Sequence, residues 1–290
     1  MEPQAPVEIL FRLERREEQL DPLLPRLTLY SDGRLLSWDA VRDDLTVRTL
    51  SAAGVDAFLV EVLASGSFGE SHGVAADPLP GSSIDPFTRG IGVSEFSLFP
   101  SDGPAVTVTT ITTDDPGLYA GSPERDALSA LTDRLIAADW LADESWVDAT
   151  PSRYVADAYL LLTGSVIFPP EMPICPGETG GGGGNEPCDR DVDTVAWPVS
   201  LPPDGIGVPF RSADGMQDSV DRCVVIGRAF ADALAAAMQR GGLARHLHIT
   251  TRVAWREQNS FYDLRLRPLL PEESATCAGK SLFPVQGIMI

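Results

Sequence analysis

The 290-residue chain carries 42 acidic against 22 basic side chains, a net charge of −20, and is 43% hydrophobic and 22% charged. That composition supports a buried core in one large domain or two modest ones, while the charge argues against nucleic acid and anionic lipid, both of which need a positive surface. No run of about 18 apolar residues occurs, so a soluble chain without a transmembrane segment is expected. Lys280, the sole lysine, leaves little room for a catalytic amine.

Val7, Ile9, Phe11 and Leu13 alternate with Glu8, Arg12 and Glu14, the period of a half-buried strand. Leu27 to Trp38 reads as a hairpin about Asp32-Gly33, a pair suited to a type I′ turn. That register sets Leu29 opposite Leu36 and Leu27 opposite Trp38, with all four on one face. Ser51 caps a predicted helix with Val55, Phe58, Leu59, Val62 and Leu63 as its stripe and Gly66 as its stop. Residues 69–104, rich in Gly, Pro, Ser and Asp, read as a long irregular excursion, and Ala105 to Thr113 as a strand. Ser122-Pro123-Glu124 starts a second helix in the favoured order of cap, proline and acid, with Leu128, Leu131, Leu135 and Ile136 facing inward.

A second group begins near Thr150, with a strand over Tyr154 to Thr163. Cys223 to Ile226 is a short strand, and Gly227 leads into a helix with Phe230, Ala233, Leu234, Ala237 and Met238 on one side. Ile249 to Trp255 and Tyr262 to Leu266 alternate as a second hairpin. Antiparallel strands with helices on one face make the expected class α+β, organised as residues 1–150 and 151–290 with a boundary near Asp148 to Ser152.

Cys175 and Cys188 bracket Gly180 to Gly184, and closing so glycine-rich a loop is worth about 3 kcal/mol in the chain-entropy model. Cys223 and Cys277 then remain for a longer loop worth about 4 kcal/mol. Four cysteines allow three connectivities, and four free thiols in a cytosolic protein are the alternative. The absence of Cys-x-x-Cys spacing argues against zinc. Two bridges imply an oxidising compartment. Residues 1–6 show neither the basic nor the apolar region of a signal peptide, which leaves a cytosolic protein or the mature portion of an exported one, and the cysteines favour export.

Candidate chemistry is sparse. Gly69-Glu70-Ser71-His72-Gly73 matches a nucleophile-elbow pattern, with His246 or His248 as a base for Ser71, yet it follows a helix instead of linking strand to helix. His246-Leu247-His248 has usable metal spacing but no acidic residue in the same element. Asp189, Asp191 and Asp193 open like a calcium loop, although Thr194 and Ser200 stand where glycine and glutamate belong. Gly180 to Gly184 lacks the lysine of a phosphate loop. Glu14 with Glu17 and Glu18, or Asp43 with Asp44, read as solvated acids. No motif points to a cofactor.

Leu29-Tyr30-Ser31-Asp32-Gly33-Arg34 and Arg48-Thr49-Leu50-Ser51-Ala52-Ala53-Gly54-Val55 form one part of a wider pattern. Its other parts are Val195-Ala196-Trp197-Pro198, Arg222-Cys223-Val224-Val225, and Arg267-Pro268-Leu269-Leu270-Pro271-Glu272 before Cys277. Together they resemble a family of uncharacterised secreted, often lipoprotein-type, proteins of high-GC Gram-positive bacteria. The resemblance implies placement in the cell envelope and pairing of Cys223 with Cys277, and it carries no activity. The resulting expectation is a non-catalytic secreted or cell-envelope protein, binding or structural, whose partner is a protein or an envelope ligand. The alternatives are a serine hydrolase using Ser71 and a calcium-dependent adhesion module.

Overall fold

The computed structural model describes residues 7–17, 24–39, 44–74, 91–113, 122–166, 195–196, 207–210, 221–240, 251–255 and 260–277. The chain divides into two compact units, one of residues 1–155 with 270–273 and one of 156–269 with 274–290.

The first unit contains β1 (Ile9–Glu17), β2 (Leu27–Tyr30), β3 (Arg34–Asp39), β4 (Asp44–Leu50), α1 (Ala52–Ala64), β5 (His72–Val74), β6 (Ile91–Leu98), β7 (Val106–Thr113), α2 (Pro123–Ala137) and β8 (Trp146–Arg153). Its described strands form one sheet in the order β5-β7-β6-β1-β2-β3-β4-β8, antiparallel except where β5 meets β7. One face of this sheet contributes Phe11, Leu13, Leu27, Leu29, Leu35, Phe96, Leu98 and Val108 to a core completed by Phe58 and Val62 of α1 and Leu128, Leu131 and Leu135 of α2. The other face contributes Tyr30, Leu36, Trp38 and Leu45, packed with Leu24 and Leu270.

Burial on both faces explains where alternation misleads. Hairpin β2–β3 pairs Leu29 with Leu35 and Thr28 with Leu36, one residue away from the register expected around a type I′ turn. Gly33 N–H donates to the Tyr30 carbonyl at 3.0 Å and Gly33 has φ +86°. Together they make a turn through Ser31 and Asp32 followed by a left-handed glycine. Gly33 also abuts the Leu50 carbonyl and accepts from Leu50 N–H at 2.8 Å, so a side chain there has neither the backbone angle nor the space. Either register buries leucines; the glycine contact with β4 selects this one. In β1 a bulge between Ile9 and Phe11 turns Val7 and Ile9 to the Tyr30 face while Phe11 and Leu13 stay on the helix face. The stretch expected to be irregular holds β5 and β6; Gly92, Ser94 and Ser97 give β6 the composition of a loop, although Phe96 and Leu98 are buried.

The helices begin where their caps sit. Ser51 Oγ accepts from Gly54 N–H at 3.2 Å and donates to the Glu144 carbonyl at 3.1 Å, while Ser51 N–H donates to the Ser145 carbonyl at 2.9 Å. These bonds stitch the start of α1 to a 3₁₀ turn at Asp143–Ser145. Gly54 rests against the Ser145 carbonyl with no room for a Cβ. Val60 and Leu63 are exposed, so the buried stripe of α1 is narrower than its composition suggests. In α2, Ser122 Oγ accepts from Arg125 N–H, and Arg134 Nε lies 2.8 Å from Glu61 of α1. Arg48 of β4 donates to the carbonyls of Ile136 and Ala137 and lies 5.0 Å over the Trp146 ring, serving the C-terminal end of α2.

The second unit contains β9 (Ala158–Val166), β10 (Val195–Ala196), β11 (Val208–Phe210), β12 (Asp221–Gly227), α3 (Arg228–Arg240), β13 (Thr251–Trp255) and β14 (Ser260–Pro268). The described strand order is β10-β13-β14-β9-β12-β11, with β10 parallel to β13. The expected second hairpin is present, with Val253 opposite Tyr262. Leu160, Leu162, Cys223 and Leu269 form the described core, against which Cys277 packs. In α3, Ala231 and Leu234 are buried while Phe230 is 41% exposed, which rotates the helix away from the expected stripe. The two sheets with their three described helices are an α+β arrangement.

Gly54→Ala is a sharp test of this packing. Helix propensity alone raises stability by about 0.4–1 kcal/mol, but collision with the Ser145 carbonyl costs about 1–3 kcal/mol. A net loss of about 1–2 kcal/mol is expected in urea unfolding, and a gain would mean that α1 is not seated on the 3₁₀ turn.

Candidate functional site

Ser71 and His72 lie where the chain enters β5, on an edge of the first sheet. His72 pairs with Val108 of β7 and reaches the first turn of α2. Its Nε2 lies 2.9 Å from Glu124 Oε1, and its Nδ1 lies 2.9 Å from the Glu70 carbonyl. A carbonyl only accepts, so Nδ1 donates; a carboxylate favours a donor, so Nε2 donates as well. Both ring nitrogens are thereby engaged, and the His72 pKa is raised by the Glu70 carbonyl first and Glu124 second. Glu124 is pulled below the ordinary carboxylate range by the His72 bond and then by the Ser67 side chain.

This geometry does not build a nucleophile. Ser71 Oγ accepts from Thr107 N–H at 3.0 Å, which ties it to β7 instead of presenting it at a strand-to-helix elbow. His72, the neighbouring imidazole, has both ring nitrogens engaged and neither free to take the serine proton. The three groups work as fasteners between β5, β7 and α2. His246 and His248 fall outside the described residues, as do Cys175, Cys188, Gly180 to Gly184, Asp189, Asp191 and Asp193, Glu18 and Asp43.

A second polar cluster lies on the opposite face of the same sheet. Tyr30 is fully buried, and its Oη donates to Glu272 Oε2 at 2.7 Å. Arg12 Nη2 donates to the other oxygen, Glu272 Oε1, and Arg12 Nη1 lies 4.0 Å from Glu14. Arg34 sits over the Tyr30 ring, 5.6 Å from its centroid. Burial, and next the Glu272 charge, pushes the Tyr30 phenol far upward, so it stays a neutral donor. Glu272 is presented by a tight turn: Glu273 N–H donates to the Leu270 carbonyl at 3.0 Å, and Glu273 Oε2 accepts from Leu270 N–H at 2.8 Å. Tyr30 of β2 and Glu272 of the turn meet here. What brings them together is separated by 242 positions, a distance over which periodicity and motif spacing carry no signal.

The expected second-half pairing is present in the structure: Cys223 and Cys277 form a disulfide with Cα atoms 5.8 Å apart and Cys223 only 1% exposed. Among the described residues no three His, Cys, Asp or Glu side chains are grouped to hold a metal ion. No family model, curated protein or solved structure matches this chain.

Both partners of the His72–Glu124 pair are partly exposed, so salt screens their attraction. The pair stabilises the fold above Glu124's unfolded value of 4.5 and below His72's unfolded value of 6.5. Its contribution fades as pH rises through the raised His72 midpoint, and again as pH falls through the lowered Glu124 midpoint. In an NMR titration the His72 ring should titrate above 6.5, and Glu124→Gln should bring that midpoint down. A midpoint indifferent to the substitution would dissolve the pair.

Proposed function

We propose that this chain is a non-catalytic binding or structural protein of the extracytoplasmic space, secreted or held at the cell envelope, with a protein or an envelope ligand as its partner. The observation that carries the compartment is the buried Cys223–Cys277 disulfide, since reducing cytosol keeps such thiols unpaired. The resemblance to secreted and lipoprotein-type proteins supports the same placement. Among the described residues no helix is long and apolar enough to cross a membrane.

Support for a non-catalytic role comes from how the reactive side chains are used. The Ser71 hydroxyl receives the Thr107 amide, and His72 is clamped between Glu70 and Glu124. Tyr30, buried and hydrogen-bonded to Glu272, is kept from ionising and so from acting as a nucleophile. Each of these groups is committed to holding strands, helix and turn in place.

A fluorophosphonate probe tests this reading on the intact chain. Ser71 should remain unlabelled at probe concentrations that saturate a serine hydrolase, and wild type and Ser71→Ala should give the same adduct profile. Stoichiometric labelling that disappears in Ser71→Ala would replace the proposal with a hydrolase.

A further inference from the structure

Helix α1 is apolar on two sides. Phe58 and Val62 are buried toward the sheet, and opposite them Ala52, Ala53, Val60, Leu63 and Ala64 are exposed, Val60 by 65% and Leu63 by 53%. Asp56 and Glu61 are the only charged side chains in this 13-residue helix. Glu61 is engaged with Arg134 of α2, which leaves Asp56 as the one polar group on the exposed side. A surface helix ordinarily turns polar residues to water, and a helix that is apolar all round is one built to be covered.

The spacing of the exposed face indicates the shape of the cover. Ala53, Asp56, Val60 and Leu63 recur at alternating steps of three and four residues, the seam by which one helix packs along another. Asp56 falls within that seam, and no ion pair among the described residues reaches it. Covering a carboxylate with apolar groups is costly unless a cation arrives with the cover. A second copy of this chain would bring another Asp56 and a net charge of −20 to the contact, so it is repelled where a basic partner is attracted. Exposed Asp143 and Glu144 add to the negative field at the start of α1, where Ser51 Oγ is bonded to the Glu144 carbonyl.

We propose that the face of α1 carrying Ala53, Val60 and Leu63 is the docking site for a basic amphipathic helix of a partner protein. Apolar residues of that helix pack on Val60 and Leu63, and one of its Lys or Arg side chains pairs with Asp56. This site rests on the binding role proposed above and gives its protein partner a chemistry.

The probe is a fluorescein-labelled peptide of about 18 residues, long enough to cover the roughly 20 Å of α1. It carries leucine at its seam positions, lysine beside them and one central lysine within the seam. Fluorescence anisotropy should show binding to the wild-type chain. Val60→Gln with Leu63→Gln, both at exposed positions and with a good helix former introduced, should weaken binding by about 10-fold and leave the melting temperature near that of wild type. Asp56→Asn should weaken it by about 10-fold as well, and should cost little against a peptide whose seam lysine is glutamine. Equal affinity for wild type and the Val60→Gln, Leu63→Gln variant would overturn the site, because net charge alone would then hold the peptide. So would an absence of binding, or a wild-type dimer in sedimentation that the same variant abolishes, which would seat a second copy on α1. None of these outcomes changes the labelling of Ser71, so the non-catalytic reading stands or falls separately.

Discussion

Two sulfur atoms 54 positions apart in the chain constrain the second unit. Cys223 sits in β12 with its side chain in the core, and the bond brings Cys277 against Leu160, Leu162 and Leu269. In the chain-entropy model a loop of this length removes about 4 kcal/mol of unfolded-state freedom, a large part of the stability of an ordinary domain. Compartment and core both lean on one covalent contact.

The first unit manages its polar groups by the same economy of means. A carboxylate brought to a buried tyrosine is costly unless both its oxygens are satisfied. Glu272 meets that condition by taking Tyr30 on one oxygen and Arg12 on the other. His72 and Glu124 lie nearer to water, so their attraction is weaker and their role is to orient β5 against the start of α2. Arg48 answers the carbonyls at the far end of α2 and covers Trp146. Ser71 and His72, which lie in a nucleophile-elbow pattern, are here bonded to Thr107 of β7 and Glu124 of α2.

Local signals in the sequence were sound where local physics decides. The Ser51 and Ser122 caps, Pro123 at the helix start and the alternation of β13 and β14 need only near neighbours, and each of these elements is present. Register was a different matter. With Leu27, Leu29, Tyr30, Leu35 and Leu36 all buried, alternation along β2 and β3 has no polar face to set its phase. The phase comes from Gly33 lodged against Leu50, a contact between strands that the hairpin alone does not contain. β6 was hidden by its serines and glycine. The site was less legible still: His72 finds Glu124 52 positions away, and Tyr30 finds Glu272 across nearly the whole chain. Disulfide pairing stood between these extremes, since four cysteines allow three connectivities and the glycine run bracketed by Cys175 and Cys188 favoured one.

Peptide mapping without reduction, on protein recovered from the cell envelope and medium of its native host with free thiols blocked before extraction, goes to the centre of this account. Digestion should yield a single cross-linked species joining the Cys223 and Cys277 peptides, with neither residue alkylated. Recovery of both as alkylated thiols would remove the constraint, and with it the extracytoplasmic reading.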